Sequence, residues 1–310
     1  MKVLLLNPGR RDYLVQYFLD LSNKFKMKIY IIDPDINIPS FKVSNKTKNF
    51  ICPKSKNKRF IPFLKNLIKK ENINVIFPLS EYELKKISKE KNFFKKKGIE
   101  IIVSDQKIID ICQNKLKTYN FLKKIKIKYP ELIKFNDLKK KLPAIGKEVK
   151  GNSSKNQIII NTRDQIPKKK NKLFFQKYIR SDEYGMDILN DLNGNFVHTC
   201  IKKKYQIRAG DTDKAKIINP KKFLWLAKKI SSSLKHVGNL DIDFICKNRK
   251  VYILDFNARF GGGYPFTHVY GYNYIERILE LIKKRKKLTK FKKYSNNKNL
   301  FSKGITIYKH

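Results

Sequence analysis

Cysteine is scarce in this sequence of 310 residues, and its four copies lie far apart. None of them forms a Cys-x-x-Cys pair, which argues against a zinc site and against a disulfide framework. Isolated cysteines of this kind are typical of a reducing compartment, so we expect a cytoplasmic protein. The four residues are Cys52, Cys112, Cys200 and Cys246.

Long apolar segments are also missing. No apolar run is long enough to cross a membrane, so we expect no membrane partner. Residues 1–7 are mostly apolar, but the stretch ends at once in Pro-Gly-Arg-Arg, which favours a first β-strand over a signal peptide. The Gly-x-Gly-x-x-Gly fingerprint is absent as well, which argues against an NAD-dependent enzyme.

Acidic residues are few: 26 Asp and Glu face 71 Lys and Arg, for a formal net charge of +45. Such an excess attracts polyanions. The lysines are nevertheless spread along the chain and accompany many isoleucines and asparagines, a composition typical of A+T-rich coding sequences. We therefore expect solvated basic faces and only non-specific binding of nucleic acid. The basic runs are 95–97, 139–141, 168–170, 202–204 and 283–287.

The first hundred residues alternate apolar strand-like runs with amphipathic helical segments. This alternation predicts a small parallel sheet covered on both faces. Apolar residues make up 41% of the chain, enough for two or three packed subdomains of this length. We expect strands at 2–7, 28–33, 74–79 and 100–103, and helices at 12–23, 60–70 and 82–94.

Ligands of parallel sheets bind beyond the carboxyl ends of the strands. Residues 7–11, Asp33 and residues 78–81 fall there. Gly9 permits a sharp turn, and Arg10 and Arg11 directly precede a predicted helix, where a carboxylate or phosphate binds well. We take Gly9, Arg10 and Arg11 as candidate substrate residues; the alternative is a helix start that faces solvent.

The middle of the chain changes pattern. A helical connector at 108–124 leads to a strand, a loop of small residues at 151–154 and a strand at 157–161. Backbone amides of such a loop, with Lys147 and Lys150 nearby, suit phosphate oxygens; a lysine-bearing hairpin turn is the alternative. Further strands are expected at 173–179, 184–190, 195–202 and 304–308, and helices near 223–237 and 273–283.

The most informative segment is an apolar hairpin that carries acidic residues. Its two runs, around 241–246 and 251–257, are joined by a polar turn at 247–250. Strand alternation puts Asp241 and Asp243 on one face of their strand, and Asp255, Asn257 and Arg259 on one face of theirs. If Asp243 lies opposite Asp255, the carboxylates repel unless a cation separates them, which suits Mg²⁺ and nucleotide phosphates. The alternative is an exposed hairpin with solvated acids.

In the order of these parts the chain resembles the ATP-grasp superfamily, in particular the short relatives of the carbamoyl-phosphate synthase large chain, over residues 3–282. The resemblance implies an α/β and α+β chain: an N-terminal Rossmann-like pre-ATP-grasp domain followed by a two-subdomain ATP-grasp fold. The expected divisions are 1–106 for the first domain, 107–180 for connector helices and the small subdomain, 181–288 for the large subdomain with the metal site, and 289–310 for a basic tail.

The resemblance also implies a nucleotide site for ATP. Lys115 and Lys147 match lysines that contact the α- and β-phosphates, and the loop with Gly151, Ser153 and Ser154 stands where the phosphate lid lies. The adenine hinge is expected at Gln176, Lys177 and Ile179, and the ribose acid at Glu183.

For the reacting end, Asp243, Asp255 and Asn257 match ligands of Mg²⁺, with Mn²⁺ as the alternative ion. Arg259 matches an arginine that contacts the transferring phosphate, and Arg208 a basic position near the γ-phosphate and acceptor. The chain departs from the usual pattern where Asp255 replaces a glutamate, Glu148 replaces a proline and Ser181 replaces a glycine. None of these changes removes a charge that the chemistry needs.

The implied activity is an ADP-forming carboxylate–amine (or thiol) ligase that works through an acyl phosphate. Its partners would be small-molecule carboxylates and amines, and the family suggests a homodimer. Two alternatives remain open: a polyanion-binding protein on a catalytically silent scaffold, and a synthetase of the carbamoyl-phosphate type. The second is disfavoured because only one ATP-grasp unit is present.

Overall fold

The structure is a computed structural model that describes residues 1–151, 157–169, 172–208, 210–285, 287–297 and 299–309. It contains three β-sheets, of five, four and six strands, with helices packed between and around them. The mixed α/β architecture expected from the sequence is confirmed. Within the described ranges no helix is both long enough and apolar enough to cross a membrane.

The N-terminal sheet is parallel throughout. Leu4 and Leu6 pack into one core cluster and Val3 and Leu5 into another, so the first strand is buried on both faces and is continuously apolar. Its strands are β1 (Lys2–Leu6), β2 (Lys28–Asp33), β3 (Thr47–Ile51), β4 (Val75–Pro78) and β5 (Glu100–Ile101). They lie in the order β3-β2-β1-β4-β5. The alternation of strand and helix therefore predicted this sheet correctly, apart from β3.

Helices cover both faces of this sheet: α1 (Asp12–Asp20), α2 (Ser22–Phe25), α3 (Phe60–Glu71) and α4 (Glu81–Lys96). Ser80 caps α4 in a capping box with Glu83, which fixes where this helix begins. The expected single connector helix consists of α5 (Gln106–Cys112) and α6 (Lys115–Lys124). They are separate because the Asn114 side chain caps α6 by accepting from the Lys117 amide at 3.1 Å.

The second sheet is small and antiparallel. It contains β6 (Leu132–Ile133), β7 (Ala144–Glu148), β8 (Ile158–Ile160) and β9 (Leu173–Lys177), in the order β6-β9-β7-β8. The register places Lys147 of β7 beside Phe174, and Ile145 beside Gln176. This sheet therefore brings the phosphate and adenine candidates onto neighbouring strands.

The third sheet is antiparallel and holds the acidic hairpin at one edge. Its strands are β10 (Glu183–Asn190), β11 (Phe196–Arg208), β12 (Asp211–Ile218), β13 (Gly238–Lys247), β14 (Lys250–Asn257) and β15 (Leu300–Ser302). Their order is β14-β13-β10-β11-β12-β15. The remaining α-helices are α7 (Leu224–Leu234), α8 (Tyr264–Val269) and α9 (Tyr274–Ile282), and short 3₁₀ turns occur at Pro39–Phe41, Phe135–Lys140, Arg163–Gln165 and Pro220–Phe223.

The terminal strand expected at 304–308 is wrong. The strand lies at Leu300–Ser302, where Phe301 pairs with Ala215 and packs against the core. Ile305 and Ile307 are 80% and 92% exposed, so the apolar residues that suggested a strand have no neighbouring edge or core to pack on.

Candidate active site

The hairpin of β13 and β14 aligns the acidic residues as the sequence suggested. Asp243 lies directly opposite Asp255, and Asp241 lies opposite Asn257. Cross-strand neighbours share one face of a sheet, so three carboxylates and an amide meet there. The Asn257 Nδ2 atom is 3.5 Å from Asp241 Oδ2, which completes a polar strip along the hairpin.

Asp255 is paired with a lysine from the connector. Lys115 Nζ lies 3.3 Å from Asp255 Oδ2 and also donates to the Gly151 carbonyl at 2.6 Å. Burial raises the pKa of the Asp255 carboxyl; Lys115 opposes this shift and Asp243 adds to it. Lys147 is buried as well, and burial lowers its pKa while Asp255 raises it. Two lysines from two different elements therefore face the same acid.

Asp243 has its own lysine partner, which the sequence did not single out. Lys204 Nζ lies 2.6 Å from Asp243 Oδ1 and 3.7 Å from Glu183 Oε2, with only 9% of the lysine side chain exposed. Burial lowers the pKa of Lys204, but Asp243 and Glu183 outweigh it, and the net shift is upward. The expected metal acid and the expected ribose acid thus share one cation.

Lys202, two positions earlier on β11, is buried in a second charged network. It pairs with Asp187 and donates to Thr267 Oγ1 and the Gly263 carbonyl, each at 3.2 Å. The Asn239 amide links Asp187 (3.3 Å) to the backbone carbonyl of residue 259 (3.1 Å). The expectation that run 202–204 is solvated is therefore wrong for two of its three lysines. Strand alternation is the signal that could have revealed this, because it places the first and third on the same face.

The glycines after the hairpin allow the acids to approach the backbone closely. A Cβ atom on Gly261 would lie 2.1 Å from Asp241 Oδ2, and one on Gly262 would lie 1.8 Å from Asp211 Oδ1. Burial first, and then the nearby Asp243 and Asp187, raise the pKa of Asp241 to about 7. No side chain larger than hydrogen fits at these two positions without moving a carboxylate.

Arg11, just before helix α1, and Arg259, just after strand β14, lie near each other. Arg11 donates to the Leu79 carbonyl, and Arg259 donates to the Phe260 carbonyl at 2.9 Å. Burial, with a further contribution from Arg259, lowers the pKa of Arg11. Two largely buried guanidinium groups this close repel each other, which favours an anion between them.

The other substrate candidates differ in placement. Gly9 has a φ of +57° and forms a tight turn, in which its amide donates to Asp33 at 3.1 Å and its carbonyl accepts from Ser40 at 2.7 Å. Arg10 is exposed. Arg208 is also largely exposed, and it pairs with Asp213 at 3.2 Å rather than with the buried acids. The structure thus brings Arg11 near Arg259, but not Arg10 or Arg208, and Gly9 contributes the turn that precedes Arg11.

Some groups of the expected adenine hinge already have hydrogen-bond partners within the protein, and others are partly exposed. The Gln176 side chain is buried and accepts from the Tyr119 hydroxyl at 2.7 Å, and the Lys177 amide donates to the Glu131 carbonyl at 2.8 Å. Ile179 and Glu183 are half-buried at the adjoining strand ends. Ser153 and Ser154 of the expected lid lie outside the described residues.

Two family models match the chain. Residues 112–263 match the ATP-grasp domain, and residues 3–102 match the PylC-like N-terminal domain. No curated protein matches the chain by sequence.

Several solved structures share the fold. The ADP complex of an N5-carboxyaminoimidazole ribonucleotide synthetase superposes with a TM-score of 0.72 at 13% identity, over 90% of this chain and 76% of that one. A biotin carboxylase from Campylobacter jejuni gives 0.72 at 14% identity, over 98% and 74%. An L-amino acid ligase from Bacillus licheniformis gives 0.69 at 17% identity, over 91% and 74%. At these identities the likeness is one of fold. The matched family models show that the chain carries an ATP-grasp domain at residues 112–263, preceded by a PylC-like N-terminal domain at residues 3–102.

Proposed function

We propose that this protein is an ATP-dependent carboxylate–amine ligase that activates its carboxylate as an acyl phosphate. The observation that carries the proposal is the pairing of Asp243 with Asp255 across one hairpin, opposite the buried amines of Lys115 and Lys147. Paired acids beside paired amines suit a divalent ion and the phosphates it accompanies.

The residues present fit Mg²⁺. The donors are hard oxygens, from Asp243, Asp255 and the Asn257 amide, which is the chemistry that this ion prefers. Among the described residues there is no group of three or more His, Cys, Asp or Glu side chains placed to hold a metal. A site with two carboxylates leaves coordination positions for water and phosphate oxygens. When bound, the ion would neutralise charge on the transferring phosphoryl group.

The amines on the opposite side would bind the nucleotide. Lys115 comes from the start of α6 and Lys147 from β7, so the connector and the small sheet each supply one positive charge. The adenine is proposed to lie at residues 176–179, with Glu183 at the ribose. Phosphoryl transfer depends mainly on such positioning and charge neutralisation, because the protein takes little part in the covalent change.

The carboxylate substrate is proposed to bind between Arg11 and Arg259. Both guanidinium groups are largely buried and lie close enough for one to depress the pKa of the other. An anion placed between them relieves this repulsion and faces the phosphate end of the site. Gly9 forms the turn two residues before Arg11, and a hydrogen bond from the Gly9 amide to Asp33 anchors this turn. Arg208 remains a candidate only if its exposed side chain moves inward on binding.

An ADP-release screen tests the proposal. Purified protein is incubated with MgATP, a panel of amino acids and sugar acids, and hydroxylamine as a general acceptor. We expect ADP and a hydroxamate in equal amounts with at least one acid, and neither product when EDTA is present. ADP release that does not depend on any acid, or none with the whole panel, would contradict the assignment. The domain divisions given above and a homodimer are further parts of this proposal, and size-exclusion chromatography with light scattering tests the second.

A further inference from the structure

Two glutamates begin helix α4, and the structure uses them differently. Glu83 is fully buried, and both oxygens of its carboxyl group have partners: they accept from the Ser80 amide and from the Asn7 side chain, each at 2.9 Å. Glu81 is mostly buried too, yet its Oε2 atom has no hydrogen-bond partner among the described residues. A buried carboxylate oxygen without a donor is costly, which points to a ligand.

Glu81 faces a cleft between the N-terminal domain and the end of β14. The cleft is narrow and is lined by Glu81, Leu84 and Ile109 on one side and by Asn257 and Arg259 on the other. Arg259 is nine-tenths buried, and its Nε atom has no partner in the described part of the chain either. The nearest approach of the two side chains is 4.0 Å, from Arg259 Nη2 to Glu81 Oε2. This distance is too long for a hydrogen bond.

We propose that Glu81 is the acceptor-site residue of the ligase, where its carboxylate binds the ammonium group of a primary amine substrate and takes one of its protons. The inference rests on the proposed function and extends it by assigning the second substrate a position and a charge. It selects a primary amine over a thiol as the acceptor class.

The charges around Glu81 support this assignment. Burial raises the pKa of the Glu81 carboxyl; Asp255 adds to this shift, and Arg259, Lys115 and Arg11 oppose it. Lys115 is paired with Asp255, and the two arginines flank the proposed carboxylate position. With the proposed carboxylate bound, each of these cations has its own anion, and Glu81 Oε2 is left without a donor. A cationic ammonium fills it, whereas a thiol would leave the buried charge unmatched.

The position also suits the chemistry. Glu81 lies within 4.0 Å of the arginine assigned to the transferring phosphate, so a bound amine would be next to the acyl phosphate. The ammonium gives one proton to Glu81, and its nitrogen lone pair attacks the acyl carbon. The carbon–oxygen bond to phosphate then breaks, phosphate leaves with that electron pair, and the second nitrogen proton passes to it. The products are the amide, hydrogen phosphate and one proton, which Glu81 returns to water.

Comparing hydroxylamine with amine acceptors tests the role of Glu81 in turnover. Hydroxylamine is uncharged at neutral pH, so it bypasses the ammonium site, whereas amines such as ethanolamine and putrescine need it. We expect Glu81→Gln to keep hydroxamate formation within about threefold of wild type and to lose amide formation by about ten- to a hundredfold, the usual range for a charged hydrogen bond. Glu81→Asp should recover part of this loss. Glu90→Gln is the control, because Glu90 lies on the same helix and pairs with Lys65 at the surface.

Equal loss of both products in Glu81→Gln, or loss of neither, would overturn the inference. Failure of the wild type to form hydroxamate would instead contradict the proposed function. A binding experiment separates failure of the inference from failure of the proposed function. Ethylammonium chloride is titrated calorimetrically into protein that holds MgADP and inorganic phosphate. We expect binding at least tenfold weaker in Glu81→Gln than in wild type and in Glu90→Gln; equal or absent binding in all three overturns the assignment.

Discussion

The ammonium group of Lys204 lies 2.6 Å from the carboxylate of Asp243 and reaches Glu183 from the same position. Both acids belong to the proposed MgATP site, so the protein supplies its own cation beside them. A divalent ion and a nucleotide ribose would each compete with this lysine. Binding of MgATP is then expected to displace Lys204 toward the phosphates or to solvent.

Replacing Lys204 with methionine tests this competition without an assay of turnover. Asp243 then loses its partner, so the free protein should be less stable than wild type. Because Mg²⁺ supplies the missing charge, the ion should raise the melting temperature of Lys204→Met more than that of wild type. Differential scanning fluorimetry with and without MgCl₂ measures this. An equal effect of Mg²⁺ on both proteins would show that Lys204 does not compete with the ion.

Replacing Asp255 with asparagine, or Asn257 with alanine, should abolish ADP release. Each change removes a proposed ion ligand from the hairpin, and a lost group of this kind typically lowers the rate about 10²–10³-fold. The fold should persist, with a far-ultraviolet circular dichroism spectrum like that of wild type. Asp20→Asn, an exposed change on α1, is the control and should leave the rate unchanged. Wild-type turnover in both site variants would exclude the metal assignment.

Stability should fall as the pH rises from 7.5 to 8.5, mainly because of Glu83. Burial raises the pKa of this carboxyl to about 8 in the folded protein, against an ordinary value of 4.5. The folded state therefore holds a proton that the unfolded state has released, and Glu83 lowers the free energy of unfolding by at most about 1.4 kcal/mol per pH unit. Asp241, whose pKa is raised to about 7, adds a smaller decrease at the lower end of this range. Denaturant titrations at pH 7.5, 8 and 8.5 measure this slope.

Glu83→Gln should reduce that slope, and Glu90→Gln should not. The chosen range lies above the histidine titrations: burial lowers the pKa of His198, His236 and His268 to about 4 from an ordinary 6.5, so above pH 7.5 they are almost uncharged in both states. An unchanged slope in Glu83→Gln would mean that another group binds the extra proton.

Removing either Lys202 or Asp187 alone should destabilise the protein, whereas replacing both with apolar residues should not. Both side chains are almost fully buried, so Lys202→Met leaves an unmatched carboxylate and should cost about 3–5 kcal/mol of unfolding free energy. The double change Lys202→Met with Asp187→Leu should recover most of this loss. Chemical denaturation of the three proteins measures the coupling. A single change that costs less than about 1 kcal/mol would indicate that water reaches the pair.

The large positive charge should give salt-sensitive and sequence-independent binding of RNA. Phosphate contacts release counterions, so the affinity for a short single-stranded RNA should fall by about 10³-fold or more between 50 and 200 mM salt. Fluorescence anisotropy with two unrelated RNA sequences measures this. Binding that persists at the higher salt, or that distinguishes the sequences, would favour the polyanion-binding alternative.

The hairpin was the part of the site that its sequence predicted best. Alternation along two strands joined by a short turn allows few registers, and one of them pairs Asp243 with Asp255. The buried parallel strands were predictable for a similar reason, since each is a continuous apolar run. Edge strands were not: β3 has the sequence Thr-Lys-Asn-Phe-Ile and is largely exposed, so it lacks the pattern of a buried strand.

Side-chain partners that depend on tertiary packing could not be predicted from the sequence. Glu81 and Glu83 differ by two positions and share a chemistry, yet only Glu83 meets Asn7 and the helix cap. Lys204 belongs to a run of three lysines that does not differ in sequence from the solvated runs of this chain, so its burial was not predicted. Its burial follows from the bends and pairings of β11, which composition and spacing do not specify.

Gly261 and Gly262 lie so close to Asp241 and Asp211 that any methyl group would overlap a carboxylate oxygen. The constraint is purely steric, and it leaves this turn with almost no mutational tolerance. A randomised library at the two positions, selected for a folded product, should return glycine at both. Diversification of such a protein would have to proceed through other loops around the cleft.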